Sequence, residues 1–313
     1  MGISLRRIET FVTVAEHKNV SAAARTLNLS QPAVTKSVRE LERHYGVELV
    51  HRTVAGVELT RYGESFYRRA KLVLSELQHA EDEIDSLLGG KGSVSVGLLP
   101  NAYYPLVTSG LSNYLGQHPD LRVVIREGTL DDLFRSVEIG DMDFFVGSAL
   151  VTRSSETLVS EVLLQDRLIV ICRPDHPLTG KPDLTFADLV GYGWVLPPRD
   201  TKIHQLFDAI LQEDGLEPPQ TWIEINTFSV LRSILCGTDR LAIVAASRVD
   251  LELDHGLLSA LPLVFSPNPF PVAVVRPEEE RLSPWARGLL TSFRQAAVEV
   301  RVAEAAYSGT TTE

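Results

Sequence analysis

Three residues, Asn28 to Ser30, join two short helical patterns, and this turn constrains the fold more than any other segment of the chain. Asn28 can adopt the left-handed backbone conformation that ends a helix, a position usually given to glycine. Ser30 can cap the next helix, whose first turn holds Pro32, where a missing amide hydrogen costs nothing. The preceding helix is predicted to begin at a second cap, Ser21, and its small residues 22–24 allow close approach. Two short helices joined by a three-residue turn predict a helix-turn-helix.

The flanking segments complete a small domain over residues 1–60. Apolar residues at helical spacing predict a first helix from about Leu5 to Glu16. The third helix is expected to end at Gly46 and to bury three residues of one stripe: Val34, Val38 and Leu41. Two strand-like segments, Val47–His51 and Val57–Thr60, then flank an Ala-Gly pair and predict a two-stranded wing. Residues 1–60 are therefore predicted to be an all-α-type winged helix-turn-helix.

A heptad pattern follows over residues 61–88. Thr60 is a suitable N-cap, and the apolar residues of the segment recur at alternating spacings of four and three: Phe66, Ala70, Val73, Leu77, Ala80, Ile84 and Leu87. Such a seam is typical of a helix that packs against a partner helix, so we expect a linker helix that forms a dimer. The alternative is a helix that lies on its own domain. The glycine-rich residues 89–92 do not fit the phosphate-binding loop pattern and predict a hinge.

Residues 93–300 alternate strand-like and helical patterns, and residues 301–313 form a C-terminal tail. The apolar run Leu168–Cys172 predicts a buried strand, whereas residues 130–139 and 201–212 have helical spacing. This alternation predicts an α/β domain with parallel sheets and helices on their faces. The length of the segment predicts two α/β lobes.

Charge is distributed unevenly along the chain. The net charge is −11 at pH 7, but residues 1–60 carry 8 Lys and Arg against 6 Asp and Glu. The basic excess therefore lies where contact with phosphates would require it, and the remainder is acidic; the alternative is an ordinary mixed surface. The sequence has neither a secretory signal pattern nor an apolar run long enough for a membrane span, so a cytoplasmic protein is expected.

The two cysteines, Cys172 and Cys236, are too few for a disulfide framework. We expect both to be buried small hydrophobic residues, with a redox-sensing pair as the alternative. The chain lacks the motifs of common hydrolases, zinc enzymes and dinucleotide-binding enzymes, so no enzymatic activity, metal or cofactor is expected. His176 lies between two prolines, which predicts a surface turn rather than a catalytic base.

The third helix offers side chains suited to reading DNA. Gln can bridge adenine, and Lys or Arg can reach guanine or phosphate. Helix N-termini and residues beside the wing can hold the phosphate backbone or enter the minor groove. The alternative for each residue is a solvated helix face. The predicted DNA-contacting residues are Ser21, Ser30, Gln31, Pro32, Thr35, Lys36, Arg39, Arg52 and Thr53.

These segments resemble the DNA-binding signature of the LysR-type transcriptional regulators. The matching segments are Leu5-x-x-Ile8-x-x-Phe11, Ser21-Ala22-Ala23-Ala24, Leu29-Ser30-Gln31-Pro32-Ala33-Val34, Leu41-Glu42 and Ala55-Gly56-Val57-x-Leu59-Thr60-x-x-Gly63. The resemblance covers residues 4–63 densely, and the rest of the chain matches in layout. The departures are Lys36, where the family more often has Arg, and Val50-His51-Arg52, where an aromatic residue often follows the first apolar one. They concern base preference rather than fold.

The resemblance implies a sequence-specific regulator that binds a dyad-symmetric double-stranded operator as a homodimer or homotetramer, with RNA polymerase as a further candidate partner. It also implies a periplasmic-binding-protein-like effector domain with a ligand cleft between two lobes. The cleft residues are then Pro100, Asn101, Ala102, Thr129, Pro198, Arg199, Thr201, Thr227 and Phe228. Helix N-termini and hydroxyls suit carboxylates, aromatic acids or sugars, and Arg199 would grip an anion. The alternative for each residue is an ordinary helix cap.

Overall fold

The computed structural model describes residues 3–53, 56–88, 90–100, 104–148, 157–263 and 270–308. Within these ranges, an N-terminal helical domain with a hairpin is joined by one long helix to two α/β lobes. This architecture confirms the fold class expected from the sequence.

The N-terminal domain packs short helices and a hairpin about one core. Its elements are α1 (Leu5–His17), α2 (Val20–Thr26), α3 (Gln31–Tyr45), β1 (Val50–Thr53) and β2 (Gly56–Leu59). Asn28 has a φ of 53°, so the predicted left-handed turn between α2 and α3 is confirmed. Phe11 of α1, Ala23 of α2 and Val34 of α3 are almost completely buried, so each of the three helices contributes to the interior of the domain.

The start of α2 differs from the prediction. Asn19, not Ser21, is the N-cap, and its side-chain oxygen accepts a hydrogen bond from the amide of Ala22 at 3.0 Å. Asn is at least as good an N-cap as Ser, and here it lies two residues earlier. Ser21 is therefore the second residue of α2 and is half-buried.

The first strand of the hairpin begins at Val50 rather than at Val47. The carboxylate of Glu42 accepts hydrogen bonds from the amides of Leu49 and Val50, at 3.0 and 3.2 Å. The amide of Val47 donates to the carbonyl of Glu42. Residues 47–49 thus close the end of α3, and the carbonyl of Leu49 accepts a hydrogen bond from the amide of Thr60, just after β2, at 3.0 Å.

Two five-stranded sheets form the lobes. The first has the order β4-β3-β5-β12-β6, with β3 (Ser93–Leu98), β4 (Arg122–Glu127), β5 (Phe144–Ser148), β6 (Val159–Asp166) and β12 (Phe270–Arg276). The second has the order β11-β7-β10-β8-β9, with β7 (Leu168–Cys172), β8 (Trp194–Leu196), β9 (Trp222–Glu224), β10 (Leu241–Ala245) and β11 (Ser259–Ala260). Helices flank them: α5 (Tyr104–Gln117), α6 (Leu130–Glu138), α7 (Lys202–Glu213), α8 (Phe228–Cys236), α9 (Asp250–Asp254) and α10 (Pro284–Ser308). The two predicted lobes are confirmed.

The sheets are mixed, so the expectation of purely parallel sheets is wrong. Strands β3, β4 and β5 run parallel, as do β8, β9 and β10. However, β12 runs antiparallel to both β5 and β6, and β7 runs antiparallel to β10. The reason is that the chain leaves the first lobe along β6 and re-enters it along β12, so these neighbouring strands point in opposite directions.

The two cysteines lie in different environments. Cys172 is fully buried in β7, and this burial raises the pKa of its thiol to about 11. Cys236, at the end of α8, is exposed, so the expectation that both are buried is wrong. His176 was expected at the surface, but its side chain is buried, with its Nδ1 accepting from the amide of Leu178 at 3.2 Å. Its segment does form a turn, and the imidazole packs beneath it.

The long helix α4 (Arg61–Leu87) begins where Thr60 accepts a hydrogen bond from the amide of Gly63 at 3.1 Å. The first two apolar positions of its seam pack into the N-terminal domain. The later ones lie on the surface: Val73, Leu77, Ile84 and Leu87 are 49%, 42%, 58% and 84% exposed. The described residues of one chain therefore leave most of the seam uncovered.

The opposite side of α4 carries polar residues that face the first lobe. The ammonium group of Lys71 contacts Glu16 of α1 at 2.7 Å and also pairs with Asp141 of the first lobe. Burial alone would lower the pKa of Lys71, but the hydrogen bonds that its ammonium group donates to Asp141 and Glu16 raise it. One cation thus ties together the N-terminal domain, the linker helix and the first lobe.

The same side of α4 approaches the first lobe very closely. Gly140 has a φ of 76°, and a Cβ atom built on it would lie 2.7 Å from the Cβ and Oγ atoms of Ser75. His79 follows one turn later, with its Nε2 3.8 Å from the carboxylate of Asp143. We refer to the contacts of Lys71, Ser75 and His79 with the first lobe as the polar junction.

The buried carboxyl of Asp143 makes the polar junction sensitive to pH. Burial raises the pKa of Asp143 to about 6, although it accepts a hydrogen bond from the Ser95 amide and lies near His79. The carboxyl of Asp143 therefore binds a proton more tightly in the folded protein than in the unfolded chain. Protonation of Asp143 thus stabilises the folded protein at low pH, and this stabilisation is lost as pH rises through about 6. We compare the free energy of unfolding of Asp143→Asn with that of wild type, measured by thermal unfolding at two pH values. This difference is expected to be about 1 kcal/mol less favourable to the variant at about pH 5 than at about pH 7.5.

Asp120→Asn, on the exposed surface, is the control and should follow the wild-type pH profile. If Asp143→Asn and wild type change in parallel over this pH range, the assignment of a raised pKa to Asp143 is wrong.

Candidate DNA interface and effector cleft

The sequence folds α3 as a rod with one buried and one exposed face. The hydroxyl of Ser30 accepts a hydrogen bond from the amide of Ala33 at 3.4 Å, and Pro32 lies in the first turn. Val34 and Val38 are buried, as predicted, at helical spacing. The polar residues between them must then point outward.

Most of the predicted DNA-reading residues lie on this outward face. Gln31, Lys36 and Arg39 are exposed, and Thr35 is half-buried. Thr35 and Arg39 share a surface groove with Arg52 of β1, between α3 and the hairpin. The structure thus brings together residues from α3 and from the wing.

The acidic residues of α3 are engaged inward, which leaves its cations unpaired. Glu40 pairs with Arg7 of α1 at 2.7 Å, and Glu42 holds the start of β1. Among the described residues, no ion pair involves Lys36, Arg39 or Arg43. The exposed face of α3 is therefore basic although the chain as a whole is acidic.

Two residues of the prediction are less favourably placed. Ser21 lies inside α2 rather than at its cap, and Thr53 is half-buried. The hydroxyl oxygen of Thr53 is buried and has no hydrogen-bond partner among the described residues. Conversely, sequence reasoning missed Arg43, which lines the same surface depression as Lys36 and Arg39. Its spacing of four residues from Arg39 is the signal that could have identified it.

The predicted effector residues follow the carboxyl ends of parallel strands. In the first lobe, Pro100 follows β3, and Thr129 follows β4 as the N-cap of α6. In the second lobe, Pro198 follows β8, and Thr227 follows β9 as the N-cap of α8. Ligands of open α/β sheets bind outside the carboxyl ends of the strands. Asn101 and Ala102 lie outside the described residues.

The threonine hydroxyls differ in what they already bind. Thr129 donates to the carboxylate of Asp132 at 2.7 Å, and Thr201 donates to the carbonyl of Pro198 at 2.6 Å. Both also cap their helices. Thr227 makes no side-chain capping bond. The first turn of α8 is therefore the least satisfied of these three helix starts.

The two arginines of this region have different surroundings. Arg199, predicted to grip an anion, is exposed and stacks on Trp222, with its Cζ 5.0 Å from the ring centroid. Arg248, which sequence reasoning missed, lies 5.1 Å from the ring of Phe228 in the second lobe and 5.9 Å from the ring of Tyr104 in the first. The carboxyl ends of the two sheets therefore face each other across Arg248. A cation three residues after the apolar strand β10 is the sequence signal that could have found it.

Two features of other classes of protein are absent from the described residues. No group of three or more His, Cys, Asp or Glu side chains within them could hold a metal ion. In the same parts of the chain, every helix is too short or too polar to cross a membrane.

Both halves of the chain match known families. Residues 5–64 match the bacterial regulatory helix-turn-helix proteins of the lysR family, and residues 89–298 match the LysR substrate binding domain. The HTH-type transcriptional regulator GbpR of Azospirillum brasilense is 32% identical over 94% of this chain and 86% of its own length. The HTH-type transcriptional regulator GalR of Pseudomonas putida is 30% identical over 94% of this chain and 74% of its own length.

Solved structures share the fold over almost the whole chain. A full-length OxyR variant from Pseudomonas aeruginosa superposes with a TM-score of 0.71 at 21% identity and covers 95% of both chains. Full-length CbnR complexed with its target DNA superposes with a TM-score of 0.65 at 22% identity, over 94% of this chain and 99% of that one. The exposed basic helix, the two facing lobes and the family matches over both regions lead to one identification: the chain belongs to the LysR family of DNA-binding transcriptional regulators and carries a LysR substrate-binding domain.

Proposed function

We propose that α3 of two copies of this chain reads a dyad-symmetric operator and that a small-molecule effector bound between the lobes controls this reading. The observation that carries the proposal is the exposed face of α3, where Gln31, Lys36 and Arg39 are held outward by a capped helix with a buried apolar stripe. A rod of this kind fits the major groove of B-DNA.

The side chains on this face suit different parts of a duplex. Gln31 can bridge adenine, whereas Lys36 and Arg39 can bind guanine or phosphate. Ser30, at the N-terminus of α3, and Arg52, beside the wing, suit the phosphate backbone. The solved complex of CbnR with its target DNA supports a role in DNA binding for this fold.

Two copies are proposed to associate through α4. The seam from Val73 to Leu87 is exposed along one side of the helix, whereas the opposite side faces the first lobe of the same chain. Leaving such large apolar residues in water is unfavourable, and a second α4 would cover them. A homodimer, or a homotetramer built from it, would then present two copies of α3 to half-sites roughly 34–36 Å apart.

The effector domain is proposed to bind its ligand between the lobes without transforming it, since the curated relatives are transcriptional regulators. This proposal is supported by the position of Pro100, Thr129, Thr201 and Thr227 after the carboxyl ends of strands, and by the contact of Phe228 with Arg248. We propose RNA polymerase as a further partner and the cytoplasm as the site of action.

The role of α3 is tested with the double variant Lys36→Ala plus Arg39→Ala. Each cation is expected to contribute about 1–3 kcal/mol of binding to base or phosphate, so affinity should fall at least about tenfold. The measurement is a gel shift at fixed salt, on a duplex enriched from a random-sequence pool by the wild-type protein.

The matched control is Lys91→Ala plus Arg122→Ala, which also removes one Lys and one Arg. Both residues are exposed, Lys91 just before β3 and Arg122 at the start of β4. It should bind the selected duplex like wild type. Unchanged affinity of the α3 variant would remove this helix from the interface.

The role of the seam is tested with Leu77→Gln plus Ile84→Gln. Both residues are exposed in a single chain, so the variant should still fold. In a dimer, however, each substitution should remove about 1.5–3 kcal/mol of the free energy gained by burying the apolar side chain. We expect the dimer dissociation constant to rise more than about 100-fold, measured by sedimentation equilibrium.

Glu83→Gln plus Asp85→Gln is the control, since these exposed residues lie on α4 outside the seam. It should associate like wild type. A seam variant that remains as dimeric as this control contradicts the assignment.

A further inference from the structure

Arg248 lies at the meeting point of the two lobes. It is in the short segment after β10, its guanidinium carbon is 5.1 Å from the ring of Phe228 at the start of α8, and it is 5.9 Å from the ring of Tyr104 at the start of α5. One cation therefore contacts the first residue of a helix from each lobe.

Aromatic faces hold this cation without neutralising it. Two other arginines of the lobes, Arg276 and Arg294, have a carboxylate partner: Arg276 lies 3.2 Å from Glu161, and Arg294 lies 2.7 Å from the same residue. For Arg248, no ion pair is formed within the described residues. Cation–π contacts contribute roughly 0.5–2 kcal/mol and leave the positive charge in place.

The surroundings of Arg248 make an unpaired cation costly. Burial lowers the pKa of Arg248, and the nearby Tyr104 and Glu127 only partly oppose this effect. Glu127 is exposed at the end of β4 and does not approach within ion-pair distance. An incoming anion that pairs with the guanidinium would relieve this cost.

The first turn of α8 supplies further donors beside Arg248. Thr227 makes no side-chain cap, and no hydrogen bond within the described residues uses the amides of Phe228, Ser229 or Val230. Amides at a helix N-terminus favour negative charge, in the same direction as the arginine. Two independent sources of positive potential therefore lie on one side of the cleft.

We propose that Arg248 anchors an anion site between the lobes and that the effector of this protein is a small organic carboxylate. This inference rests on the proposed effector function and narrows it, because a neutral sugar would leave the guanidinium unpaired. It also assigns to Arg248 the anion-binding role that the sequence suggested for Arg199.

The test uses the full-length protein and three carboxylate probes, acetate, succinate and benzoate, each paired with the neutral amide of the same carbon skeleton. Glucose serves as the neutral sugar. At least one carboxylate is expected to raise the thermal midpoint and to bind in calorimetry, whereas its amide is not. Arg248→Gln should weaken that binding at least about tenfold, as the loss of a charge-assisted hydrogen bond implies, and Arg248→Lys should retain part of it.

Arg122→Gln is the matched control, because Arg122 lies at the amino end of β4, away from the facing edges, and it should bind like wild type. Unliganded thermal midpoints of all variants check that each is folded. The proposal is overturned if none of the three carboxylates binds, if an amide binds as tightly as its carboxylate, or if Arg199→Gln rather than Arg248→Gln abolishes binding. Binding of glucose alone would leave the effector function standing while excluding the carboxylate, and DNA binding is measured separately.

Discussion

The two unlike sides of α4 organise the molecule. One side is a row of large apolar residues that the described part of its own chain leaves in solvent. The other side is polar and carries Lys71, which contacts both Glu16 of the N-terminal domain and Asp141 of the first lobe. Because a helix repeats every 3.6 residues, an apolar row and a polar row can extend along opposite sides of α4 and use different sequence positions. The exposed apolar side of α4 and the side attached to the first lobe are thus separated by the geometry of the helix.

The basic face of α3 is produced by what happens to its acids. Glu40 is bound to Arg7, and Glu42 holds the backbone amides at the start of β1, so both carboxylates stabilise the domain instead of facing outward. Lys36 and Arg39 then dominate the exposed face. A protein with a net charge of −11 can in this way present a local surface suited to polyanions.

Local sequence signals predicted local structure well. The left-handed turn at Asn28, the cap at Ser30 and the buried strand Leu168–Cys172 each depend on neighbouring residues, and the structure confirms them. The prediction failed at one local feature, since Asn19 rather than Ser21 caps α2, and elsewhere where distant segments decide the outcome. The mixed sheets follow from the path of the chain between lobes, and the importance of Arg248 depends on rings that come from Tyr104 and Phe228, far away in sequence. The exposed faces of α3 and α4 could be derived from the periodicity of apolar residues in the sequence. The contacts of Arg248 between the two lobes could not be derived in this way.

The close approach of Gly140 to Ser75 has a mechanical consequence. With no room for even one added carbon atom between Gly140 and Ser75, a rotation of the first lobe that keeps this contact must tilt α4 as well. The contact at Ser75 lies about 21 Å along α4 from Arg61, so a tilt of about 5° about this contact displaces that end of the helix by about 1.8 Å, roughly half of the ~3.4 Å rise of one base pair. In the proposed function, a tilt of this kind would move α3 relative to the duplex without any bend in α4.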